Sequence, residues 1–295
     1  MAGPSAEQLV RDGKLDEALA ALSQQIRANP ADSKLRVFLF QLLAVHGQWD
    51  RALTQLNVAG EMDAAHLAMV QTYREGIHCE RLRDEIFAGK RTPLVFGEPD
   101  EWVAHLMQAL MLTAQGQHGA AAELRERAFE AAPATSGTLV MPDADGTTPP
   151  ATSSDQLLNP ANQATKEIAF EWLADGDSRL GPLLEAVVNG RYYWIPLHRI
   201  RRIEIDPPAD LRDVVWTAVH FVWANGGDTV GLIPTRYAGS EKSADPLIRL
   251  ARKTDWQELA PGVFAGQGQR MFATDSGEFS LMDLRQVRLN VGEGN

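Results

Sequence analysis

The chain has 295 residues, 44% of them hydrophobic and 23% charged, which is enough for two ordinary cores and excludes a disordered, fibrous or disulfide-stapled protein. Lys and Arg number 28 against 39 Asp and Glu, and the net charge of −11 disfavours capture of nucleic acid or anionic lipid. A single cysteine, Cys79, suits a reducing compartment, and no apolar run or amino-terminal leader points to a membrane, so a cytoplasmic bacterial location without membrane insertion is expected.

The first 134 residues carry an internal repeat. Gly13-Lys-Leu-Asp-Glu-Ala18-Leu19 aligns with Gly47-Gln-Trp-Asp-Arg-Ala52-Leu53 at a spacing of about 34 residues, and Gly116-Gln-His-Gly-Ala-Ala121 is a third partial copy about two periods on. A turn glycine, a small residue five positions later and a helix-ending proline (Pro30, Pro133) form the tetratricopeptide signature of stacked antiparallel helix pairs. Ala18, Ala52 and Ala121 occupy the close approach between the two helices of each pair. The middle unit is degenerate, with Ala64 in place of the proline and Arg81 in place of the turn glycine, which predicts long helices from Ala64 to Ala88 and a break at Gly89-Lys-Arg-Thr-Pro93.

Such stacks curve, and the concave face usually holds a partner segment. The repeat register places Lys34, Val37, Gln41, Ala44 and Val45 on that face, joined by Val103, Leu106 and Leu110 from the last unit. Any of these can instead pack against an adjacent helix or a second domain. Phe38, Phe40 and Trp49 offer either a self-association surface or filling for the stack.

Residues 135–164 are rich in Ala, Thr, Ser, Pro and Gly and read as a linker or irregular segment in which Leu139-Val-Met141 and Leu157-Leu158 dock locally. From 165 to 295 the pattern changes to short β-branched or aromatic runs: Ile168 to Leu173, Tyr192 to Pro196, Ile200 to Ile205, Val214 to Val222, Val230 to Ile233 and Arg270 to Ala273. Asn189-Gly190 and Asn225-Gly-Gly227 between such runs are hairpin turns. Leu180 to Val188 is either strand or a helical turn, Asp245 to Ala251 is helical, and Leu281 to Leu289 supplies a last strand. The expected fold is α+β, a tetratricopeptide-like helical stack followed by a small, mainly antiparallel β-rich domain.

Asp175-Gly-Asp-Ser-Arg-Leu-Gly-Pro-Leu-Leu-Glu185, Asn189-Gly-Arg-Tyr-Tyr-Trp-Ile-Pro196, Ile200-Arg-Arg-Ile203, Pro207-Pro-Ala-Asp-Leu-Arg-Asp213 and Leu232-Ile-Pro-Thr-Arg-Tyr-Ala-Gly-Ser-Glu241 closely resemble the ImpE family, also called SciE or TagJ. The resemblance covers nearly the whole chain. It departs at the Thr/Pro/Ser run Thr147 to Ser154 and at Gly176, where Ala or another small residue is expected. It implies a non-catalytic adaptor of a bacterial type VI secretion system, which binds a helix near the amino terminus of the small contractile-sheath subunit (TssB type) and is linked to the ClpV-type ATPase that disassembles the sheath. It also marks Asp177, Arg179, Tyr192, Arg201, Arg236 and Tyr237 as a characteristic patch without saying what the patch does.

The sequence carries no pattern for catalysis, cofactor or metal. No Gly-rich loop ends in Gly-Lys-Ser/Thr, and no Gly-x-Ser-x-Gly elbow or His-Glu-x-x-His occurs. Gly266-Gln-Gly-Gln-Arg270 lacks the third glycine of a dinucleotide loop and reads as a simple turn. His78 and Cys79 are helix neighbours pointing in different directions, so Cys79 reads as a packing residue. The alternative to an adaptor is an enzyme or small-ligand sensor in the second domain. It would draw on the constellation of Asp175, Asp177, Ser178, Arg179 and Glu185 with Tyr192, Arg236 and Tyr237, using Asp177, Arg179 and Arg236 above all. It requires a pocket on which several of these converge; the plainer account is a turn in which Asp177 caps amides and Arg179 forms a buried pair.

Overall fold

The computed structural model describes residues 3–143 and 165–292; the Thr147 to Ser154 run and Leu157-Leu158 lie outside the described residues. Three helical hairpins form the first half: α1 (Ala6–Arg11) with α2 (Leu15–Ala28), α3 (Ser33–Val45) with α4 (Trp49–Met62), and α6 (Glu101–Ala114) with α7 (His118–Ala131). Each turns at the glycine marked by the repeat, Gly13, Gly47 or Gly116, and all three have positive φ. Ala18, Ala52 and Ala121 are buried at the helix contacts, and α2 ends at Ala28 just ahead of Pro30. Between the hairpins runs α5 (Leu67–Phe87), a single helix of 21 residues. It is long because Arg81 stands where a turn glycine would have folded it into a hairpin.

The second half is built on a nine-stranded sheet in the order β1-β6-β5-β9-β8-β7-β14-β2-β3. Its strands are β1 (Leu94–Val95), β2 (Gly137–Pro142), β3 (Thr165–Phe170), β5 (Leu183–Val188), β6 (Arg191–Pro196), β7 (Ile200–Ile205), β8 (Trp216–Trp223), β9 (Asp228–Pro234) and β14 (Gln286–Leu289). Every pairing is antiparallel except β1 with β6. A three-stranded sheet, β4 (Leu173–Asp175), β12 (Met271–Thr274) and β13 (Gly277–Ser280), and a ribbon, β10 (Thr254–Ala260) with β11 (Val263–Gly268), complete it. Leu180 to Val188 resolves as strand from Leu183 onward, and Leu281 to Leu289 splits into a short 3-10 turn and β14.

Two expectations are corrected here. Leu139 to Met141 belongs to β2, hydrogen-bonded between β14 and β3, so the first part of the 135–164 linker is integral to the sheet. Gly266 to Gly268 is the end of β11, not a turn. Gly266 is required because a Cβ would lie 2.2 Å from the Tyr237 ring. Gly176, the departure from the family pattern, has a similar cause: a Cβ there would approach the Trp256 ring to 2.7 Å.

The boundary near residue 134 is one of composition; the cores cross it. One cluster joins Leu15, Leu22, Phe40, Ile77, Val103 and Leu106 of the helices to Val187, Trp194, Trp216 and Leu232 of the sheet. The other lies on the opposite sheet face, among Ile195, Ile203, Phe221, Phe272 and Val287. β5 shows the division residue by residue, since Leu183 and Val187 enter the first core and Leu184, Ala186 and Val188 the second. Trp216 is the centre of the joint, with Phe40, Trp49 and Tyr73 rings at 6.4, 6.0 and 5.5 Å. The aromatic residues considered for self-association thus fill the molecule's own core. Trp216→Ala should cost about 3–5 kcal/mol and shift helical and sheet probes together in urea unfolding; a small loss confined to one probe would contradict a shared core.

Candidate functional site

The long helix α5 carries Glu80 and Arg83 onto the sheet. Arg83 Nε and Nη2 donate to the two Glu185 carboxylate oxygens at 2.5 and 2.9 Å, Nη2 also to the Arg236 carbonyl at 2.8 Å, and Nη1 to Glu80 at 3.3 Å. Arg270, fully buried, bridges Glu185 and Asp175 and donates Nε to the Pro234 carbonyl at 3.0 Å. Tyr192 donates its hydroxyl to Glu185 and accepts from Trp194 Nε1 at 2.9 Å, while Trp216 Nε1 donates to Glu80 at 3.2 Å.

Asp177 and Arg179 extend the network. Asp177 accepts from the backbone amides of Arg179 and Gly266 at 2.9 and 3.0 Å and pairs with the Arg179 guanidinium, which lies 4.7 Å from the Phe87 ring centroid. Arg236 sends Nη1 to the carbonyls of Val45 (2.9 Å) and Arg249 (2.5 Å) and Nη2 to that of Ala44 (3.3 Å). These carbonyls end α3 and the short helix Pro246–Arg249, where helices leave acceptors unpaired and where a cation is favoured by the helix dipole. Tyr237 donates to the Met271 carbonyl at 3.1 Å and accepts its amide at 2.9 Å.

Glu80, Asp175, Asp177 and Glu185 balance Arg83, Arg179, Arg236 and Arg270. Burial alone would raise Glu185, but Arg83 and Arg270 outweigh it and hold the carboxyl at about 2. Burial raises Asp175 to about 6 with Arg270 opposing, and lowers Arg236 to about 10, still charged at neutral pH.

The structure therefore brings together five of the six residues of the characteristic patch. Arg201 is the exception; it lies on β7 and donates to the Ala224 carbonyl at 3.0 Å. Convergence here is around a packed interior where each group is engaged by another, not around a pocket open to a substrate. Glu80, Arg83 and Arg270 were missed from sequence, although Arg81 in the glycine position was the signal that α5 would continue through them. Cys79 is buried, its thiol pushed up to about 12 by burial and its Sγ 3.7 Å from the Gly190 carbonyl.

The expected concave groove is filled by the second half of the chain. Gln41, Ala44, Val45, Val103, Leu106 and Leu110 are all buried, Val37 is half-buried, and of the eight only Lys34 is exposed. Their apolar faces meet an intramolecular partner, which is the physical reason the register reading does not give an open surface. A different groove, of about 910 Å³, is open between α5 and the sheet. Ala68, Met69, Thr72 and Glu75 form its helical wall, and Val187, Ala218, Val230 and Leu232 its floor. Val230 is 74% exposed on β9, which becomes buried only from Leu232 onward. His220 stands at the rim between Asp228 (2.7 Å) and Glu204 (3.2 Å), whose hydrogen bonds raise its pKa. No group of His, Cys, Asp and Glu among the described residues has metal-binding geometry.

Two measurements probe the network. Arg83→Ala leaves Glu80 and Glu185 buried with a missing partner and should cost about 3–5 kcal/mol in urea unfolding; a loss under about 1 kcal/mol would mean the network is not needed to join the halves. Because the folded chain keeps on Asp175 a proton that the unfolded chain has released, this group's contribution is complete below about pH 4 and is lost as pH rises through about 6. Asp175→Asn should remove that decline from the stability profile; an unchanged slope would assign it elsewhere.

Comparison with known proteins gives a consistent result. Residues 167–288 match the family model for the ImpE protein, and residues 9–73 match a tetratricopeptide repeat model. The chain is 49% identical over 282 residues to the type VI secretion system accessory component TagJ of Pseudomonas aeruginosa, spanning 96% of this chain and 90% of that protein. A crystal structure of a Vibrio parahaemolyticus protein shares the fold, with a TM-score of 0.78 at 23% identity over 96% of this chain and 97% of the other. With 49% identity over 96% of its length, the chain belongs to the ImpE family, of which TagJ is a member.

Proposed function

We propose that the chain is a non-catalytic accessory component of a bacterial type VI secretion system, acting in the cytoplasm as an adaptor. It captures a helix of the small contractile-sheath subunit and links the sheath to its ClpV-type disassembly ATPase. The accessory role is supported by the TagJ relative, and the sheath and ATPase partners by the family resemblance. Against an enzyme or sensor stands the saturation of the Asp177, Arg179 and Arg236 cluster, whose carboxylates and guanidiniums are engaged with one another and with backbone.

The observation that supports the reading is the groove between α5 and the sheet, a different surface from the expected concave face. Its volume is on the order of two turns of a helix roughly 10 Å across. Met69, Ala218, Val230 and Leu232 offer an apolar strip with charged rims, the surface that takes the apolar face of an amphipathic helix. Burial at the centre supplies affinity and the rim supplies orientation, so capture should survive moderate salt. Calorimetric titration of the full chain with a synthetic peptide of the cognate small sheath subunit's amino-terminal helix tests this. Val230→Glu, on an exposed side chain, should abolish binding and leave the unfolding midpoint unchanged; undiminished binding by that variant would remove the groove from the account.

A further inference from the structure

The groove has a deeper end. It shares Tyr73, Asp206, Arg212 and Ala218 with a side pocket of about 150 Å³, which Pro207, Asp213, Thr217 and Met282 help to close. Tyr73 is only 7% exposed as a residue, its hydroxyl makes no hydrogen bond among the described residues, and that oxygen is open to the pocket rather than sealed in the core.

The charge around that hydroxyl is one-sided. Among the described residues that line the side pocket, Asp206 and Asp213 stand with one cation, Arg212, which is already engaged, and Asp210 lies close by. Arg212 pairs with Asp210, lies 4.0 Å from Asp213 and sits 5.1 Å from the Tyr73 ring centroid. The other Asp213 oxygen accepts the backbone amides of Ala209 and Asp210, each at 2.7 Å. Asp206, exposed at the mouth, is the carboxylate left without a side-chain partner among the described residues. Burial pushes the Tyr73 hydroxyl up to about 12, with Arg212 opposing and Asp213, Asp210 and Asp206 adding to the rise.

Resting on the groove reading above, we infer that the side pocket takes a Lys or Arg side chain projecting from the docked helix. Its cationic head meets the Asp206 carboxylate and donates to Tyr73 Oη, and its aliphatic stem packs on Ala218 and Pro207. A neutral polar side chain satisfies the tyrosine but leaves the excess negative charge unmatched. An acidic one is repelled. The partner is therefore an amphipathic helix with a basic residue at one end of its apolar stripe, and that residue sets the register in which the helix lies.

The test uses the full chain and the synthetic sheath-subunit peptide, together with copies in which each Lys or Arg is replaced in turn by norleucine. One replacement should weaken binding about tenfold or more, Asp206→Asn should weaken it comparably, and the two losses should not add. Asp206→Lys should be rescued by the peptide carrying Glu at that same basic position. Equal affinity for all the norleucine peptides, or an Asp206→Asn chain that titrates like the wild type, overturns the anchor while the Val230→Glu result still decides the groove. If the native peptide fails to bind the wild-type chain, the groove and the anchor fall together.

Discussion

The contact between Arg83 of α5 and Glu185 of β5, completed by Arg270, is the constraint on which the arrangement of the two halves depends. A carboxylate in a fully buried strand is tolerable only when every lone pair is engaged, because desolvation of an unpaired charge costs more than most folds can spare. Glu185 meets that condition with two guanidiniums and a tyrosine hydroxyl. One of those guanidiniums arrives on the helical half and the other on β12's threshold. The helix can approach the sheet in one register only, since a shift of a single turn would strand Arg83 and Glu185 together. Coulombic attraction in such a network roughly offsets desolvation, so apolar burial around Trp216 supplies the adhesion and the ions supply the geometry.

Arg236 plays the matching part at the other end of the joint. By donating to the final carbonyls of α3 and of the Pro246–Arg249 helix, it ties two helix termini from opposite halves of the chain to one side chain. The arc of helical hairpins is thereby filled by its own polypeptide. Tetratricopeptide-like stacks usually keep that face for a partner; here the same geometry holds a second structural layer. The opening that remains lies at the border where helices stop covering the sheet, and Val230 is exposed because no helix extends over that part of β9. One sheet face is thus covered by the helices around Trp194, Trp216 and Glu185 and open toward Val230 at the far end of β9.

Much of the fold could be read from local chemistry. Turn glycines, small residues at helix contacts and Pro30 act through sterics within a few residues, so the hairpins and their boundaries follow directly. Asn189-Gly190 likewise forms a two-residue turn with both residues at positive φ, where a side chain at Gly190 would also press on Glu75 of α5. The two-residue β1 and the six-residue β2 escaped such a reading. Leu94-Val95 and Leu139 to Met141 are too short to show a period, and they become strands only because a partner edge is waiting for them. The ribbon of β10 and β11 was missed for a related reason, since its alternation is interrupted by a bulge between Glu258 and Ala260.

The candidate site divides in the same way. By itself the sequence determined the repeat, the family motifs and the turn in which Asp177 binds the amide and the guanidinium of Arg179, because these are interactions between near neighbours, whereas the Gly266 amide that Asp177 also binds comes from far along the chain. It determined too that α5 would run on past Arg81. Only the tertiary structure decided that Arg83 and Arg270, far apart in the chain, would meet on Glu185, that Gln41, Ala44, Val45, Val103, Leu106 and Leu110 would face an internal partner, and that Val230 and Tyr73 would border an open groove. A helical or strand period states that a residue has an apolar side; it does not state what that side will meet, because the free energy of burial depends on area removed from water and is indifferent to whether the covering surface belongs to the same chain or another.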